Sequence, residues 1–117
     1  FSFANPNRPA QPDLTLVKRA MLWIEALQPK VWVIENVLGA VEHFTPLLGS
    51  PNQRIGAFCL WGNFPHIITP PGWIHHKFAS DTWSSDPLRS NKKAFVPGEI
   101  SQGLLDALRT QTRLEVF

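Results

Sequence analysis

The ten residues Val31-Trp32-Val33-Ile34-Glu35-Asn36-Val37-Leu38-Gly39-Ala40 constrain this chain more than any other stretch. Val31 to Ile34 is an unbroken β-branched and aromatic run. That is the pattern of a strand covered on both faces, so it predicts a central strand of a parallel sheet. Glu35 then stands at the carboxyl end of the strand, just before a loop that contains Gly39. In open α/β sheets this is the crevice in which ligands are held. A lone Glu at a strand end is more often a solvated loop residue, so the neighbouring sequence decides what it does.

The flanking sequence supplies the rest of a domain. Residues 1–12 carry Pro6, Pro9 and Pro12 and read as extended and irregular. Asp13 is placed to cap a helix in which Leu14, Val17, Met21 and Ile24 form one apolar row and Leu16, Ala20, Trp23 and Leu27 a second. So wide a stripe predicts a well-buried helix, with Lys18, Arg19 and Glu25 left for solvent and Pro29 ending it at Gln28. After Gly39, Val41 to Leu48 can form a short helix containing Pro46 and closed by Gly49. Ile55 to Trp61 reads as a second strand with Gly56 marking a bulge or close approach. Gly62-Asn63 is a hairpin signal, and Pro65 to Thr69 would return antiparallel. Periodicity then disappears over about residues 70–93, which read as an irregular loop containing Pro70-Pro71-Gly72, His75-His76, Trp73 and Trp83. Pro97 introduces a last helix, Glu99 to about Thr110, with Ile100, Leu104 and Ala107-Leu108 on its inner face.

A chain of 117 residues is one domain or part of one. The net charge of +2 and pI of about 9.0 make a mild basic balance that does not by itself mark a nucleic-acid binder. One cysteine excludes an internal disulfide framework and suits a reducing, cytoplasmic setting. No apolar run approaches the roughly 18 residues of a membrane span, and the start has no signal-peptide pattern, so no membrane partner is expected. The first residue is Phe rather than Met, which reads as a processed or truncated start.

From Asp13 to Ala40 the order is polar cap, amphipathic helix, Pro29-Lys30, hydrophobic strand and Glu35-Asn36-Val37. This run resembles the DNA cytosine-5 methyltransferase family, whose members carry a helix, a Pro-Lys turn, a strand and Glu-Asn-Val in that order. Phe1-Ser2 followed by Ala4-Asn5 looks like the tail of the family's Pro-Cys-x-x-Phe-Ser loop, which would put the nucleophilic cysteine just upstream of Phe1. The resemblance implies an α/β fold: part of a Rossmann-like, methyltransferase-type three-layer domain running helix, strand, helix, strand hairpin, helix. It also implies a chemistry. A cysteine thiolate adds to carbon 6 of a flipped-out cytosine, carbon 5 takes a methyl group from S-adenosylmethionine, and elimination follows. The family's glutamate, matched by Glu35, hydrogen-bonds the Watson–Crick edge and needs a partly desolvated pocket in which its pKa rises.

Asn36 matches the motif and is expected to shape the loop. The family's Gln-x-Arg-x-Arg run aligns with Gln53, but Ile55 and Ala57 occupy its two Arg positions. Arg54, one place out of register, could substitute by a local shift at Gly56. The large target-recognition region of the family is reduced here to the loop at about 70–93. There Trp73, Lys77, Arg89, Lys92 and Lys93, with His75, His76 and Trp83, would suit phosphate contacts and base stacking. The family's Phe-x-Gly-x-Gly cofactor loop and acidic ribose-binding residue have no counterpart. S-adenosylmethionine, the cofactor of the complete enzyme, is therefore not expected to bind this chain alone, and the chain alone is expected to be inactive. A half-sheet leaves an open edge, so the missing amino-terminal half or a second copy of the chain is an expected partner, and DNA a candidate one.

The other constellations are weaker. Cys59 lies in an apolar run, where a thiol is usually a small buried hydrophobe. His66, His75, His76 and Asp81 lack metal-ligand spacing, no Gly-x-Ser-x-Gly elbow is present, and no Gly loop could cradle a phosphate. The alternative to a truncated methyltransferase is a non-catalytic module that binds nucleic acid or protein through the basic Trp-rich loop.

Overall fold

A computed structural model describes residues 1, 7, 10–75 and 96–115. It shows a small mixed α/β protein with one three-stranded antiparallel sheet. The chain divides into two compact units, Phe1–Phe64 and Pro65–Phe117.

In the first unit α1 spans Thr15–Leu27. Asp13 holds its start, its Oδ1 accepting from the Thr15 N–H at 2.9 Å and from Thr15 Oγ1 at 2.6 Å. The end follows the expected stop at Pro29: Gln28 turns left-handed (φ 48°) and its N–H returns to the Ile24 carbonyl at 2.9 Å. The two apolar rows have different fates. Val17 is buried with Leu14, Met21 and Ile24 partly covered, whereas Leu16, Trp23 and Leu27 stand 82%, 70% and 73% exposed. The expectation of a helix buried over its whole apolar stripe is therefore corrected: only one row meets the core.

Strand β1 is Trp32–Val37, followed by a single 3-10 turn at Leu38–Ala40 and then α2, Val41–Leu48, with the bounds read from sequence. Gly49 closes α2 with φ 78° and an N–H to the Thr45 carbonyl at 2.9 Å. Strands β2, Gln53–Ile55, and β3, Phe58–Asn63, form a hairpin around Gly56-Ala57, with Gly56 at φ 59°. The spatial order is β1-β3-β2, every pairing antiparallel.

Three expectations change here. Residues 55–61 are not one strand, because the turn lies inside them at Gly56. The partner of β3 is β2, while 65–69 form no strand. And β1 is neither central nor parallel: it is an edge strand, and β3 takes the centre. The physical reason is burial. Cys59, Leu60 and Trp61 on β3 are 1%, 2% and 0% exposed, against partial burial throughout β1. Gly62 makes the close pairing possible, since a Cβ there would lie 2.1 Å from the Trp32 carbonyl oxygen.

The core of this unit gathers Val17, Ala40, Phe44, Cys59 and Trp61. The rings of Phe1, Phe44 and Trp61 run in series with centroids 5.1 Å apart at each step. Each buried aromatic contributes about 2–3 kcal/mol by removal from water. The Trp61 Nε1–H also donates to the Gly49 carbonyl at 3.0 Å, so the ring is buried without an orphaned donor.

In the second unit Pro70 to Trp73 make a tight turn, the Trp73 N–H donating to the Pro70 carbonyl at 3.0 Å with Gly72 at φ 72°. Helix α3, Gly98–Glu115, follows Pro97 and is longer than the sequence predicts. Its inner face is as expected: Ile100 and Gly103 are buried, and Leu104, Ala107 and Leu108 half-buried. A Cβ on Gly103 would lie 2.6 Å from the Ile68 carbonyl oxygen, so this glycine lets the helix seat directly on the 67–68 backbone.

Candidate functional site

Strand register sorts the expected site residues onto two faces of the sheet. Glu35 pairs with Leu60, and Leu60 with Gln53 on its other side, so these three side chains form one row on one face. Asn36 pairs with Cys59 and Cys59 with Arg54, so the next row projects from the opposite face. Glu35 and Gln53 are thus brought together, two strands or roughly 10 Å apart across the sheet. Arg54 and Asn36 are not on their side.

Glu35 does not stand at the end of its strand, as expected, but in its interior, because pairing to β3 continues through Val37. That position half-buries the carboxyl group, and the loss of water pushes its pKa above the ordinary glutamate value. Among the described residues no side-chain hydrogen bond or ion pair offsets that effect. Gln53 is half-buried as well. A carboxyl group whose pKa is raised by burial and an amide are thus the polar groups of this row.

The other row has a structural employment. Asn36 belongs to β1 rather than to a loop, and its Oδ1 accepts from the Val37 N–H at 2.8 Å. Arg54 is exposed and its Nε–H donates to the Gly56 carbonyl at 2.8 Å, tying down the hairpin turn. Between them Cys59 is buried. Desolvation pushes its thiol pKa up, Arg54 draws it partly back, and Glu35 adds to the rise. A thiol so placed is a poor nucleophile.

Of the expected nucleic-acid contacts, Trp73 is half-buried beside the turn at Pro70, its ring centroid 6.3 Å from that of His75. Lys77, Arg89, Lys92 and Lys93 lie outside the described residues, as do His76, Asp81 and Trp83. Among the described residues no group of three or more His, Cys, Asp or Glu side chains could hold a metal ion, and no helix is long and apolar enough to cross a membrane.

One feature escapes a reading of the sequence. An open cleft of about 640 Å³ lies between the 68–71 segment and the first turns of α3, lined by Ile68, Pro70, Pro71, Glu99, Gln102 and Asp106 among others. Its one signal in the sequence is Gly103, a glycine in mid-helix where a close approach is the usual reason. Asp106 already accepts from Gln102 Nε2 at 2.9 Å.

The chain matches no protein-family model, no curated protein and no solved structure.

Proposed function

We propose that this chain is the carboxyl-terminal portion of a DNA cytosine-5 methyltransferase-like catalytic domain, a Rossmann-like half-domain in which Glu35 faces the target cytosine. The observation that carries this reading is the half-buried carboxyl group of Glu35, raised in pKa by burial, inside the helix, Pro-Lys, strand and Glu-Asn-Val run. A protonated carboxyl donates to a ring nitrogen while its other oxygen accepts from an exocyclic amine, which is the pattern of the cytosine Watson–Crick edge. Gln53, on the same face, supplies a second polar group toward the base. Arg54 and Asn36 support the hairpin and the strand instead, so the proposed base contact does not use them.

The described residues do not fit S-adenosylmethionine. The one strand-to-helix connection, from β1 through Leu38–Ala40 into α2, has Gly39 and Ala40 buried, so its backbone offers no cradle. The positive-φ glycines 49, 56, 62 and 72 serve a helix end, two turns and a strand pairing. In this reading the cofactor and the thiolate that attacks carbon 6 would be supplied by another part of a longer protein.

Sequencing the reading frame ahead of the Phe1 codon tests the proposal. An in-frame Pro-Cys three to four residues upstream, preceded by a Gly-rich loop, is the expected result. A start codon in that place would leave a free-standing chain without nucleophile, and the methyltransferase reading would fail.

A further inference from the structure

We draw no further inference here: the strongest candidate, the open cleft between the 68–71 segment and the first turns of α3, offers only the acidic side chains of Glu99 and Asp106 beside apolar walls, and nothing in the structure shows what would fill it.

Discussion

Glu35 shows how much one register assignment decides. Its identity and its motif are plain in the sequence, but its environment is not, because burial depends on which strand lies beside β1. Leu60 as its partner places it mid-strand, away from water, and raises its pKa. The consequence for stability has a definite sign. The folded chain keeps this proton to higher pH than the unfolded chain, so it binds more protons between the ordinary glutamate pKa of about 4.3 and the raised value. Stability therefore falls as pH rises through that window, and the cost persists above it. Glu35→Gln removes the cost: urea midpoints should exceed those of the parent chain near neutral pH and converge with them well below pH ~4. A variant less stable than the parent at neutral pH would show that the carboxylate is held by a favourable contact. Asn36 and Arg54 give the opposite lesson. Their motif neighbours pointed to the ligand, yet alternation along a strand, a property of the backbone alone, turns them to the other face.

Among the elements, helix caps and breaks are legible in the sequence and strand pairings are not. Asp13, Pro29 and Gly49 bound α1 and α2 where the sequence places them, because capping and chain-breaking act within a few residues. The place of β1 in the sheet depends on β3, some 25 residues on, and the apolar run of β1 was as compatible with an edge as with a centre. Gly56 was legible as special but not as a turn, since a bulge and a two-residue hairpin both use a glycine with positive φ. Gly103 offers a test of the second unit. In an exposed helix, Gly→Ala stabilises by about 1 kcal/mol. Here the added methyl would press on the Ile68 carbonyl at 2.6 Å and on Ile67 Cγ2 at 2.8 Å, neither free to move far. Gly103→Ala should therefore destabilise, by about 1–2 kcal/mol in denaturant unfolding. A gain in stability would mean that α3 does not seat on the 67–68 backbone.

For the whole molecule, the sheet formed by the described residues ends on one side at β1, which has neither proline nor lysine to discourage a further strand. The exposed Leu16, Trp23 and Leu27 of α1 stand in the sequence as a second apolar row, and periodicity alone does not distinguish a row that meets the core from one that does not. In the function proposed above, the pocket around Glu35 would be completed by a cysteine and a cofactor loop supplied by a longer protein. The most direct measurement of that claim is methyl transfer from S-adenosylmethionine to cytosine in duplex DNA by the product of the full reading frame, with and without Glu35→Gln. The account predicts transfer that falls at least about 100-fold in the variant, with an unchanged or higher melting temperature. No transfer by the parent protein, or equal transfer by the two, would contradict it.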